Sequence, residues 1–348
     1  MTAHPSRARQ PDPTRLTPGK VLESARRQDR AGQLDLALTT YASAIRLAEC
    51  VGENAVLIEA LRRLAVLHHR RNDASKADEL CRRSFALADE TGDQVQVGEA
   101  LNTLGGFDFE AGEMAPARRH YQEALARAGR SGELRGRAEQ NLGVLASVRG
   151  EFAEANAHYW RSLEAFESSG DGRGTALAWH NLGRCARAEG NLDIAIERLT
   201  RSAELAVAEG DVHLEALCQL GHAEVSHAEQ QYEDAKHRVE AALVILERLD
   251  VPMDRSAAHR VLGMIFRETG RPRDAAHQFR TAVQLAVETR WLLGEAEALR
   301  ELARLNRESG HPTEAQTLLT VAHGLFAHVE ARIEVAEVAR AMEELAPA

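Results

Sequence analysis

Residues 176–211 read ALAWHNLGRCARAEGNLDIAIERLTRSAELAVAEGD, and the spacing inside this stretch decides the fold. Gly190 separates two runs of helical periodicity. Gly183 stands seven residues before it, Ala195 five after it, Leu199 nine after and Ser202 twelve after. A large residue followed by a small one at i, i+3 marks one buried face of a helix. A glycine between two such runs is a stop and a turn, and Gly210-Asp211 ends the second run in the same way. The stretch therefore predicts two antiparallel helices, A and B, packed closely through small residues.

The same register recurs along the chain. Breaking positions fall at Gly32, Asn72, Gly112, Gly150, Gly190, Gln230, Gly270 and Gly310, forty residues apart except for one step of thirty-eight. Five residues after each stands Ala37, Ala77, Ala117, Ala155, Ala195, Ala235, Ala275 and Ala315. Seven residues before each is Gly or Ala, as at Ala65, Gly105, Gly143 and Gly263. Nine after comes Tyr41, Cys81, Tyr121, Tyr159, Leu199, Val239, Phe279 or Leu319, and twelve after comes Ala or Ser. The two small positions, seven before and five after, are expected to face each other where the helices cross. Asp73 and Asn191 are candidate caps for helix B, and Pro272 and Pro312 fit its first turn. Eight repeats follow, over residues 18–330, in an all-α chain. Residues 331–348 are expected to form a capping helix and terminus, since the apolar face of the last repeat needs cover. Residues 1–17 carry no apolar periodicity and are expected to be a disordered basic tail, with Thr17 and Pro18 opening the first helix. The two-residue deletion in repeat four falls between Ala124 and Asn141, through the linker at 131–136.

This pattern resembles the tetratricopeptide repeat family, whose unit is shorter by six residues, about 9 Å of helix. The long form, with AEQNLG at 138–143, AWHNLG at 178–183 and Gly-Asp linkers at 92–93, 170–171 and 210–211, looks like the Pins-type spindle-orientation adaptors and the repeat domains of some bacterial transcription activators. The resemblance implies a right-handed superhelical solenoid whose concave groove binds extended peptides.

Composition agrees with helices and little else, with 4% aromatic residues and few Gly and Pro for 348 residues. A net charge of -10 argues against a surface built for nucleic acid. No apolar run is long enough to span a bilayer, and the expected location is the cytoplasm. Cys50, Cys81, Cys185 and Cys218 lie far apart with no CxxC, which points to reduced, buried thiols and neither a zinc site nor a disulfide framework. His68 and His69 are adjacent, so they point to different helix faces and make a poor metal pair. Gly170 to Gly174 (GDGRG) is glycine-rich but follows no strand, so it is a linker and not a dinucleotide loop. No catalytic motif is present, no cofactor or metal is implied, and the chain is not expected to be an enzyme.

The family resemblance places the concave wall on helix A, at 13, 10, 9, 6, 3 and 2 residues before each turn. Those forty-eight positions hold thirteen Arg, ten acids and no Lys. Repeats four and five place Arg137, Arg184 and Arg187 there with no acid, beside Gln140, Asn141, His180 and Asn181. In this family an Asn at the position of Asn141 and Asn181 holds an extended peptide backbone, and Arg suits bidentate recognition of a carboxylate. Arg260, Arg267, Arg300, Arg304 and Arg307 form a possible secondary patch among Glu268, Glu297, Glu301 and Glu308, where ion pairing within the wall competes with a ligand. The expected function is a protein-interaction scaffold or adaptor binding an acidic segment or C-terminus, with self-association open. The alternative is a peptide-gated regulator acting on an effector supplied in trans.

Overall fold

A computed structural model describes residues 16–71 and 73–345. Most of the tail expected at 1–17, the turn position Asn72 and the last three residues lie outside them. Among the described residues there are seventeen helices and no strand, and none of the helices is long and apolar enough to cross a membrane. The chain forms two compact units that divide between Gln96 and Val97.

The first unit holds α1 (Pro18–Arg30), α2 (Leu34–Val51), α3 (Asn54–Arg70) and α4 (Ala74–Glu90). They pack as consecutive pairs around Tyr41, Ile58, Leu61 and Leu67, all almost fully buried. Thr17 caps α1 by accepting from the Lys20 amide at 3.4 Å, and Asp73 caps α4 by accepting from the Lys76 amide at 3.3 Å.

The second unit continues the series. It runs from α5 (Gln94–Glu110, whose first turn precedes the boundary) through α6 (Met114–Arg127), α7 (Gly132–Val148), α8 (Phe152–Ser169), α9 (Gly172–Ala188) and α10 (Leu192–Glu209). It then runs through α11 (Val212–Ala228), α12 (Tyr232–Arg248), α13 (Pro252–Glu268), α14 (Pro272–Glu288), α15 (Leu292–Glu308), α16 (Pro312–His328) and α17 (Arg332–Glu343). The odd-numbered helices from α1 to α15 are the A helices, and each packs against the B helix that follows it. The short repeat is explained by α6, which stops at Arg127 after 14 residues where its counterparts run 17 or 18. Ser131 then caps α7 by accepting from Leu134 N at 3.2 Å. The GDGRG stretch is a turn and a cap, with Asp171 accepting from Gly174 N at 2.9 Å. Pro272 and Pro312 open their helices as expected, but Asn191 makes no side-chain cap.

The close crossing differs from its expectation in one respect. The space left by the missing Cβ seven residues before the turn is filled by the large residue nine after it. A Cβ on Gly143 would lie 2.6 Å from Cε1 of Tyr159, and one on Gly263 the same distance from Cε1 of Phe279. The alanines five after the turn are fully buried in all eight repeats. A second device pins the pairs together: Ser84, Ser162 and Ser202 each donate to a helix A carbonyl 26 residues earlier, at 2.8 Å. In the seventh repeat the donor sits on the other helix, and Ser256 donates to the carbonyl of Ala282 at the same distance. Each bond satisfies a buried hydroxyl that would otherwise cost about 1–3 kcal/mol.

Gln230 occupies a turn that glycine fills in six other repeats, with φ +62°, and Asp250, Arg290 and Glu330 stand at positive φ in the linkers. A side chain in the left-handed region costs about 1–2 kcal/mol, so the local register overrides the local preference at these four points. Three cysteines are buried, but Cys50 is exposed, contrary to the expectation for all four. As the terminal helix was expected to do, α17 packs on α16, with Val338 in one core with Leu319, Ala303 and Phe326.

Candidate functional site

In the second unit each A helix from α7 to α13 touches the next A helix as well as its own B partner. The A helices therefore form a continuous inner wall, and charged residues on neighbouring A helices come within reach of one another.

Arg137 on α7 is paired with Glu99 on α5 and lies 3.7 Å from Glu133. Asn141 donates from Nδ2 to Asn102 Oδ1 at 3.0 Å, while Gln140 keeps a buried Oε1 with no partner. On α9, Arg187 Nε lies 3.2 Å from Glu224 Oε2, and Arg260 Nη2 on α13 lies 3.3 Å from the other oxygen of the same carboxylate. Arg260 also reaches Glu297 at 3.2 Å. Burial works against the charge of Glu224. Arg187, Arg260 and Arg184 outweigh it and hold the carboxyl below its ordinary range. Arg184 is exposed and has no carboxylate within 4 Å among the described residues.

The patch expected to be free of acids is thus neutralised from next door. Glu99 and Glu224 belong to repeats three and six, and the reading of repeats four and five by themselves missed both. Their position in the register, thirteen and six residues before the turn, was the available signal. Two further residues depart from expectation. His180 is 5% exposed and Asn181 6%, so both stand behind the wall surface. Burial first, and then Arg184, drives the His180 pKa down to about 3, which keeps the ring neutral. Its Nδ1 lies 3.9 Å from Cys218 Sγ, which donates to Ser202 Oγ at 3.2 Å. Burial also pushes the Cys218 thiol up to about 11, the opposite of an activated nucleophile.

Residues 134–208 match a family model described as tetratricopeptide repeat. Among solved structures, the fold resembles the Cut9 and Hcn1 hetero-tetramer of the APC/C, with TM-score 0.63 and 15% identity over 94% of this chain and 55% of that one. It also resembles a Rap protein complexed with competence and sporulation factor, with TM-score 0.62 and 12% identity over 94% of this chain and 97% of that one. A third is NprR in complex with its cognate peptide NprX, with TM-score 0.59 and 12% identity over 82% and 83% of the two chains. This chain contains tetratricopeptide repeats. No curated protein sequence matches it, and identities this low establish the fold alone.

The possible secondary patch of this repeat protein is more tightly paired than the central one. Arg267 is 5% exposed and is held by Glu301 at 2.6 Å and Glu268 at 3.0 Å. Arg300 reaches Glu337 on the capping helix at 3.3 Å, Arg307 reaches Glu344 at that helix's C-cap at 2.9 Å, and Arg304 pairs with Glu308 at 3.3 Å. These three arginines rim a cavity of about 290 Å³ floored by Ala303, Leu319 and Val338. Among the described residues no three His, Cys, Asp or Glu side chains converge as a metal set.

Proposed function

We propose that the inner wall of the second unit binds an extended acidic segment or C-terminus of a partner protein, and that the protein works as a scaffold or adaptor. The observation that carries this reading is Arg184, an exposed cation without a carboxylate partner in a wall where the neighbouring arginines have one. A ligand carboxylate meets Arg184 without displacing an existing ion pair. Gln140 and Asn141, the latter fixed through Asn102, stand half-buried on the same wall as hydrogen-bonding groups for a peptide backbone. His180 and Asn181 act from behind the surface, by packing. The reading assigns no catalytic step, and the raised thiol and neutral imidazole at Cys218 and His180 agree with that. A second reading, a regulator gated by a short peptide and acting on an effector in trans, draws support from the likeness to the Rap and NprR structures, each of which contains a bound factor or peptide.

The test starts from a partner captured by pull-down and measures its affinity by calorimetry. Arg184→Glu is expected to raise Kd at least tenfold, about 1.4 kcal/mol, without unfolding the protein. Arg187 is left intact because its loss would strip Glu224 of a counter-ion. Glu197→Lys and Glu204→Lys on α10, both exposed, serve as outer-face controls and should change little. Affinity should also fall as salt rises, since exposed charges are screened over about 8 Å at physiological ionic strength. Equal affinity of Arg184→Glu and wild type would place the binding surface elsewhere.

A further inference from the structure

In a stack of antiparallel helix pairs, the turns from A to B lie along one edge and the linkers from B to the next A along the other. Neighbouring repeats meet through their helices, so opposite edges have no reason to touch. In the second unit they do touch. The turns at Gly112 and Gly150, which open repeats three and four to their B helices, meet the linkers that precede α15 and α17. A Cβ on Gly112 would lie 2.6 Å from Cδ2 of His328 and 2.9 Å from Cδ1 of Leu292, and the side chain of Ile333 fills the space over Gly150. One core cluster joins Met114, Tyr121 and Leu145 to Phe326, Val329 and Ala331. Charge completes the contact. Arg149 lies 2.6 Å from Glu151 and 3.8 Å from Glu330, and Arg332 lies 3.4 Å from Glu151, across 181 residues of sequence.

This seam is incompletely packed and open to water. A cavity of about 270 Å³ remains between Met114, Arg118, Arg119, Leu145, Arg149 and Glu330. Arg149 Nε is buried with no hydrogen-bond partner. Glu330 and Arg332 are 42% and 63% exposed, so their ion pairs are open to water and to salt. Separating the two edges would break these contacts and no helix hairpin.

We propose that the seam is a clasp on the groove. Closed, it joins the two edges and makes the inner wall the side of a channel, which an extended segment enters by a free end. Open, it admits a segment from the side. The proposal rests on the groove reading for its ligand, but the clasp itself can be tested with no ligand present.

Nitroxide labels on Ala153→Cys and Ala336→Cys, both exposed positions in α8 and α17 beside the seam, report its opening by pulsed electron resonance, with exposed Cys50 replaced by Ser. The protein without charge changes should give one narrow, short distance distribution. Glu330→Arg with Arg332→Glu places like charges opposite Arg149 and Glu151, and should add a longer population while the helical dichroism stays constant. Adding Arg149→Glu and Glu151→Arg to that variant restores every sign and should restore the short distance. A broad distribution in the starting protein, or no change on charge reversal, overturns the clasp.

The channel is tested with a fluorescein-labelled dodeca-glutamate peptide and with the same twelve residues joining two folded carrier domains. The closed protein should bind the free-ended probe at least tenfold more tightly, and the reversed variant should lose that preference. Equal binding of both probes by a protein whose labels show closure overturns the channel. If neither probe binds, the groove reading fails, and the distances alone then decide the clasp.

Discussion

Two places on one wall use the same residue type to opposite ends. At repeats seven and eight Arg267 is almost buried and ringed by Glu301, Glu268 and, at 3.9 Å, Glu308. At repeat five Arg184 projects into solvent with no counter-ion within ion-pair distance among the described residues. Both lie in the inner-wall register, six or three residues before a turn. What separates them is the next A helix: α15 offers Glu301 to Arg267, whereas the acid that α11 offers, Glu224, is taken by Arg187 and Arg260. The first arrangement stabilises the stack, and the second leaves a charge for something outside it.

The largest effect that would test this contrast is on stability. Glu301→Ala leaves Arg267 buried without its main partner and should cost about 3–5 kcal/mol in urea or thermal unfolding. An unchanged midpoint would erase the distinction between the two places.

A smaller effect comes from the group behind Arg184. Because the His180 pKa lies near 3 in the folded protein, the unfolded chain takes up a proton below about pH 6.5 that the folded chain refuses. Stability therefore falls as pH falls from about 6.5 towards 3, by up to about 1.4 kcal/mol per pH unit from this one residue. His222, His227 and His259 are also lowered, mainly by burial, and act in the same direction. Glu224 and Glu301, held below their ordinary range, add a loss once the pH drops under about 4.5. His180→Gln should make the curve between pH 6 and 5 shallower by about one proton. An unaltered slope would mean that His180 is solvated and titrates normally.

The smallest effect belongs to Arg184 itself. Arg184→Ala should change stability by no more than about 0.5 kcal/mol, as expected of an exposed residue in no direct ion pair, which acts on Glu224 and His180 only through its field. A loss near that of Glu301→Ala would show that Arg184 is a structural ion-pair member and no longer a candidate for a ligand.

Much of the architecture was legible because it is written locally. Gly143 and Tyr159, or Gly263 and Phe279, sit sixteen residues apart on two helices joined by one turn, so their size relation repeats with the period. Thr17, Asp73, Pro272 and Pro312 act on the turn they stand in. The contact partner of the small position was misassigned because spacing shows that two residues are small, and not which side chain fills the gap between them. The site was less legible. Arg137, Arg184 and Arg187 were correctly placed on helix A, but His180 and Asn181 turned out to be buried, since a helical wheel does not show how deeply the next A helix covers its edge.

The sequence by itself determined the helices, their turns, the pairing within each repeat and the residue types on the inner wall. Each depends on neighbours a few residues away or on the next helix, where geometry leaves little choice. Only the tertiary structure decided which of those charges are cancelled and that the opposite edges of the second unit meet. Glu224 joins Arg187 to Arg260 across adjacent repeats, and Arg332 meets Glu151 across 181 residues. Such contacts are set by the small rotation from each helix pair to the next. That rotation accumulates from the packing of every interface along the way, and no single stretch of the chain encodes it.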